Sequence, residues 1–348
     1  MISVCIISKD EEKNIEICLE SLVKYDYEII VVDTGSKDRT KDIAHKFTEK
    51  VYDFKWCDDF SAARNFAISK ASNEFVLTID SDEVVESIDE KEINKLLLSN
   101  RKKVGRILIK SLVNKKGTNQ VIKDKVGRIF SKYEYKYEGS IHEQLVPLSG
   151  DEVRNFMAPI IVNHSGYTIE EIARKDKVNR NIKILKNELE QRENDSYILY
   201  QLGKSYYMDE DYNEAYKYFG ETLDLDLDVR LDYVKDLVEC YGYTMLNLKK
   251  YDEALNLFNI YNEFSTSSDF VFLCGLIYMN NGLFGEAIKE FEKATNMNNE
   301  KVVGINSYLS YYNIGIINEC LGNVKDARKY YLKCDNYAPA KKRVELLK

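Results

Sequence analysis

The second half of the chain repeats itself, and no other feature limits its fold so tightly. Gly203, Gly242, Gly275 and Gly315 align with one another. Twelve residues after each stand Ala215, Ala254, Ala287 and Ala327, and four further on stand Phe219, Phe258, Phe291 and Tyr331. The glycine spacings are 39, 33 and 40 residues. Small residues at this interval let two antiparallel helices cross closely, and the aromatic ring fills the gap to the next pair. The pattern predicts an all-α stack of about four helix pairs over residues 197–348, with longer connections in two places. Pro339 falls at the expected end of the fourth pair. Stacked hairpins of this kind form a concave groove.

The first half has a different grammar. Runs of apolar residues, 3–8, 28–33, 50–54 and 74–79, alternate with helical patterns such as "FSAARNFAISKA" at 60–71. This order predicts an α/β domain with a mostly parallel, Rossmann-like sheet. Ligands bind such sheets at the carboxyl ends of the strands. Asp33 stands at one such end and the acids Asp80, Asp82 and Glu83 at another. The acids are either solvated loop charges or partners of a cation. Arg64, on the helix before the acidic strand, supplies one cation. A divalent ion would supply another, since carboxylate oxygens suit Mg2+ or Mn2+. Such a rim suits a nucleotide diphosphate. Neither "SKDEEKN" nor "GSKDRT" has the glycine spacing of a P-loop or a dinucleotide fingerprint. Beyond residue 100 the chain reads as a hairpin around "NKKGTN", and "IIVNHSGY" (160–167) as a last strand ending at His164. A charged linker helix follows at 168–196. Trp56 and Cys57 read as core residues.

Composition narrows the function. With 50 basic and 58 acidic residues the net charge is −8, so general affinity for nucleic acid or anionic lipid is not expected. No apolar stretch reaches the length of an integral membrane segment, and no signal peptide is legible. The seven cysteines include no CxxC pair, which suits free thiols in a cytoplasmic protein.

Residues 1–167 resemble the family 2 glycosyltransferases of GT-A fold. The resemblance rests on "VCIISKDEEKNIEICLESL", "EIIVVDTGSKDRT", "DDFSAARNFAISKASNEFVLTIDSDE" and "YEGSIHEQL". Residues 197–340 resemble tetratricopeptide repeats. The first resemblance implies inverting transfer of a sugar from a nucleotide sugar, usually UDP-linked. It implies that Ser8 and Glu11 face the nucleoside, that Asp33 accepts from the base and that Arg64 contacts base or diphosphate. Asp80, with Ser81 beside it, would lie near the ribose, and Asp82 would bind the metal. Where such enzymes often have Thr and Asn in the first loop, this chain has Ser8 and Asp10.

His164 is either a further metal ligand or a capped strand-end histidine. An imidazole ligand would favour Mn2+ somewhat. An inverting transfer needs one base for the acceptor proton. Glu143 is the first choice and His142 the second, and an ion pair between Glu143 and an arginine such as Arg128 is the competing role. His45 reads as a surface or packing residue. The two domains together resemble bacterial transferases that modify peptides or flagellin, with the repeats holding a protein or peptide acceptor. Assembly of cell-surface polysaccharide, or a scaffold with a decayed transferase domain, are the alternatives. A homodimer through the repeats is compatible with the pattern but not required by it.

Overall fold

The computed structural model describes residues 2–115, 118–164 and 171–347. They fall into two compact units, Met1–Arg174 and Lys175–Lys348. In the first unit β1 (Ile2–Ser8), α1 (Ile15–Leu22), β2 (Glu28–Asp33), α2 (Thr40–Ala44), β3 (Val51–Asp53), α3 (Phe60–Ser69) and β4 (Phe75–Asp80) follow the expected alternation. Then come β5 (Glu83–Ile88), α4 (Glu90–Ser99), β6 (Val104–Lys115), β7 (Thr118–Ser131), β8 (Tyr135–Glu138), β9 (Gln144–Pro147) and β10 (Asn155–His164).

Eight strands form one sheet in the order β3-β2-β1-β4-β7-β6-β10-β5, and β8 pairs with β9 separately. The strands β3, β2, β1 and β4 are mutually parallel, and β10 runs parallel to β6. Antiparallel pairing enters at β7 and at β5. The strand β5 begins within the acidic run itself, so two of its four residues close a turn and the other two sit in strands. Residue alternation explains the continuous apolar runs. Val4, Ile6, Val31, Leu77 and Ile79 join one core cluster, while Cys5, Ile30, Val32 and Val76 join another. A strand buried on both faces has no polar side to show.

Helix starts follow capping chemistry. Asp59 accepts from the Ala62 amide of α3 at 2.9 Å, and Asp89 from the Glu92 amide of α4 at 3.0 Å. Against the sequence reading, Cys57 is exposed rather than part of the core.

The helix α5 (Glu171–Gln191) leads into α6 (Ser196–Met208), α7 (Tyr212–Leu223) and α8 (Asp232–Asn247). Next come α9 (Tyr251–Ala254), a tighter 3-10 turn Leu255–Ile260, α10 (Tyr261–Phe264), α11 (Ser268–Asn280), α12 (Phe284–Thr295), α13 (Ser310–Cys320), α14 (Val324–Leu332) and α15 (Ala338–Leu346). Three of the four repeat glycines do what their spacing predicts. A Cβ on Gly203, Gly275 or Gly315 would meet the ring of Phe219, Phe291 or Tyr331 at 2.5–2.7 Å, and these rings are buried. Gly242 departs from the pattern. Its space is filled by Leu273 and Leu257, not by Phe258, because the chain is wound into the 3-10 turn there. The longer connection after α12 folds back on α8 and α11. Lys301 reaches Asp236 at 2.5 Å, and Asp269 accepts from the Lys301 and Val302 amides at 2.7 and 2.9 Å.

Candidate active site

The site residues gather where β1, β2 and β4 end. Ser8 lies opposite Asp33 in the β1–β2 register, and Ile7 lies opposite Asp80 in the β1–β4 register. The two loops after β1 and β2 are laced together. Thr34 N and Oγ1 donate to the Ser8 carbonyl at 2.9 and 3.1 Å, Lys37 N donates to Asp10, and Asp10 N donates to Ser36. Asp33 Oδ2 accepts from the Gly35 and Ser36 amides at 3.0 and 2.9 Å. Gly35 has φ +108°, a conformation that costs glycine little.

Four buried polar atoms on this rim have no hydrogen-bond partner among the described residues: Ser8 Oγ, Asp33 Oδ1, Arg64 Nη1 and Arg128 Nε. Leaving such atoms unmatched costs about 1–3 kcal/mol each. A polar ligand on the rim would recover that cost.

The acids after β4 do hold cations, and the protein supplies two of them. Asp80 takes Arg64 Nη2 on one oxygen and Arg128 Nη2 on the other, both at 2.7 Å. Arg128 also reaches Glu83 at 3.1 Å, and Glu83 accepts from the Asp80 amide at 2.8 Å. Arg64 Nε donates to Glu143. The groups form one line of alternating charge: Glu143, Arg64, Asp80, Arg128, Glu83. Burial works against the Asp80 carboxylate, but Arg128 and Arg64 outweigh it and hold the group well below the usual carboxylate range. Burial, with Asp80 adding to it, pushes Glu83 up to about 7 despite Arg128. The ion pair of Glu143 is therefore made with Arg64, not with the Arg128 that the sequence suggested.

The opposite wall is stitched to α3. Phe60 N donates to Ser140 O at 2.8 Å, Ser61 Oγ to Gly139 O at 2.5 Å, and Asn65 exchanges two bonds with the Tyr137 backbone. This fixes residues 139–143 over α3. His142 sits there in a left-handed conformation, φ 51°, next to Glu143. Ser81 is buried beside Asp80. Glu11 lies on the first loop, where its carboxylate accepts from Asn14 at 2.7 Å.

Asp82 and His164 come together from β10 and the turn after β4. His164 Nε2 lies 3.2 Å from Asp82 Oδ2, and its Nδ1 lies 3.4 Å from Ser111 Oγ. Burial lowers the affinity of this imidazole for a proton, yet Asp82 outweighs it and raises the pKa. Two atoms on adjacent positions of an octahedral ion, with bonds of about 2.1 Å, lie roughly 3 Å apart. The pair fits one small divalent ion. Among the described residues no cluster of three or more such ligands is gathered.

Sequence reasoning named Glu83 only as one acid of the run and Arg128 only as a candidate partner of Glu143; it did not read their pairing with each other and with Asp80.

Such a rim, with carboxylates at strand ends and buried cations beside them, stands where open α/β sheets bind their ligands. Residues 3–122 match the model of glycosyl transferase family 2, and residues 269–301 and 308–341 match a tetratricopeptide repeat model. The chain thus carries a family 2 glycosyl transferase domain followed by tetratricopeptide repeats. A TPR repeat-containing protein of Synechococcus elongatus is 28% identical over 233 residues, 64% of this chain and 56% of its own length. The SPbeta prophage-derived glycosyltransferase SunS of Bacillus subtilis is 30% identical over 234 residues, 63% of this chain and 52% of its own length. The chain spans about half the length of the curated relatives it matches. The crystal structure of S. aureus TarS aligns with a TM-score of 0.38 at 18% identity, over 73% of this chain and 53% of that one. No helix among the described residues is long and apolar enough to cross a membrane.

Proposed function

We propose that the chain is an inverting glycosyltransferase that moves a sugar from a nucleotide sugar, UDP-linked, to a protein or peptide acceptor held by the helical repeats. The observation that carries this reading is the set of unmatched buried polar atoms on one rim, Ser8 Oγ, Asp33 Oδ1 and Arg64 Nη1 among them. Asp33 would accept from the base, Ser8 and Glu11 would border the nucleoside, and Asp80 and Ser81 the ribose. Arg64 Nη1 would donate to the diphosphate. Asp82 and His164 would hold Mn2+ or Mg2+, which supplies charge neutralisation for the leaving diphosphate.

Transfer forms a bond from the acceptor heteroatom to the anomeric carbon and breaks the bond from that carbon to the diphosphate oxygen. The acceptor proton must go to a base on the opposite face. Glu143 takes that role, with His142 beside it as the second candidate. Its pairing with Arg64 orients the carboxylate before substrate arrives.

Titration of UDP into the chain with and without Mn2+ tests the reading. Binding that deepens with the metal is expected. No binding under either condition would refute it. Glu143→Gln should retain UDP binding and lose transfer.

A further inference from the structure

Ten of the chain's 50 basic residues and one of its 58 acids fall within residues 101–128, so this segment carries +9 and the remainder −17. The segment is the β6–β7 hairpin with the residues that lead into it. Its register sorts the charges. Leu108 faces Lys125, Lys110 faces Lys123 and Leu112 faces Val121, while Ile107, Ile109 and Ser111 turn to the buried side. Arg106, Lys110, Lys123 and Lys125 therefore share the open face of the sheet. Two apolar residues on that face are well exposed, Leu112 at 45% and Met157 of β10 at 48%.

The hairpin also outruns its neighbours. The strand β4 pairs with β7 only at residues 75–77, and β10 leaves β6 at the pair His164–Ser111. Beyond Ser111, among the described residues, the two strands pair with each other alone. They leave the sheet on the edge where Asp80, Asp82 and His164 stand. A cationic ribbon studded with apolar side chains thus borders the candidate active site.

We infer that this face is a docking surface for an acidic polypeptide segment of the acceptor, an inference that rests on the glycosyltransferase reading only in assigning that segment to the acceptor. Charge complementarity sets the sign of the partner. The −17 on the remainder of the chain opposes approach to a broad anionic bilayer, whereas a single extended segment meets only the ribbon. Leu112 and Met157 offer the apolar contact that a peptide, unlike a free phosphate, can use. Lys110 is already bridged to Glu86 at 2.8 Å, so a partner carboxylate there adds to an existing pair rather than replacing it.

The probe is a fluorescein-labelled oligoglutamate peptide, read by anisotropy against the full chain. Binding should weaken about tenfold when salt rises from about 50 to about 200 mM. It should weaken about tenfold or more in the double variant Lys123→Glu with Lys125→Glu, and by less in Lys123→Gln with Lys125→Gln. Thermal stabilisation by UDP with Mn2+ should be the same in all three proteins, which shows that the variants are folded. Peptide affinity unchanged by charge reversal overturns the inference. So does binding to vesicles of phosphatidylcholine and phosphatidylglycerol without binding to the peptide, and so does self-association abolished by the variants without peptide binding. A chain that takes up UDP but no peptide loses only this surface; a chain that takes up peptide but no UDP loses the transferase reading and keeps the surface.

Discussion

Asp80 bears two guanidinium groups at 2.7 Å each, one from α3 and one from β7. A carboxylate embedded in this way depends on its partners. Removing one member of a buried ion pair costs about 3–5 kcal/mol, because the other charge stays buried. Arg128→Met should therefore lower the urea midpoint of the first unit clearly. Trp56, the chain's single tryptophan, reports that unit by fluorescence. A midpoint equal to the parent's would mean that Arg128 does not hold Asp80. The metal pair makes a separable prediction. Asp82→Ala should remove the Mn2+-dependent part of UDP binding and leave the metal-free part. Asp33→Ala should weaken both parts, by about tenfold if one good hydrogen bond to a charged acceptor is lost. Calorimetric titration distinguishes the two patterns. Asp33, Arg64 and Asp80 were legible in the sequence because each sits at a strand end or on the helix next to one. The pairing of Arg128 with Asp80 was not, because only strand order brings β7 against β4, and β7 lies some fifty residues further along the chain.

Elements carry their own predictions. Gly275 faces Phe291, whose Cε1 would lie 2.7 Å from an added Cβ. Gly275→Ala should cost about 1–3 kcal/mol by overpacking, and Phe291→Leu in the same chain should return part of it. Gly282 has open space around it but φ +72°, so Gly282→Ala should cost about 1 kcal/mol through backbone strain alone. Thermal melts followed by helix circular dichroism measure both. On α8, burial and the nearby Asp269 push Glu239 up to about 8, while Ser267 donates to it at 2.8 Å. A carboxyl whose folded value exceeds its unfolded one stabilises the fold at low pH and loses that effect as pH rises through the folded value. Stability of the helical unit should thus fall between about pH 4.5 and about pH 8, by at most roughly 1.4 kcal/mol for each unit of that window. Glu239→Gln should flatten the trend; a slope unchanged in that variant would remove Glu239 as its cause. The parallel half of the sheet was legible because alternating buried runs and helices admit few other arrangements. The order β4-β7-β6-β10-β5 was not, since antiparallel strands inserted from later in the chain leave no period to read. The strand β5 hid inside an acidic run that reads as loop.

At the scale of the whole chain, each unit has its own cores, the sheet's two layers in one and the stacked helices in the other. The charge is distributed unevenly as well, with the hairpin opposite in sign to the rest. Addition of UDP with Mn2+ should slow amide exchange at the ends of β1, β2 and β4 and in residues 139–143. Protection that appears elsewhere and not there would place the nucleotide at another site. The repeats were legible as a period, but a period describes what the copies share. Gly242 sits against Leu257 and Leu273, and the helix that should follow is broken by a 3-10 turn. The second copy cannot be exchanged for the third or fourth, nor can the array be lengthened at that joint by duplicating a neighbour. Evolution or an engineer could graft units onto the later copies and alter reach, but the spot near α8 is fixed in place, one landmark on an otherwise interchangeable scaffold.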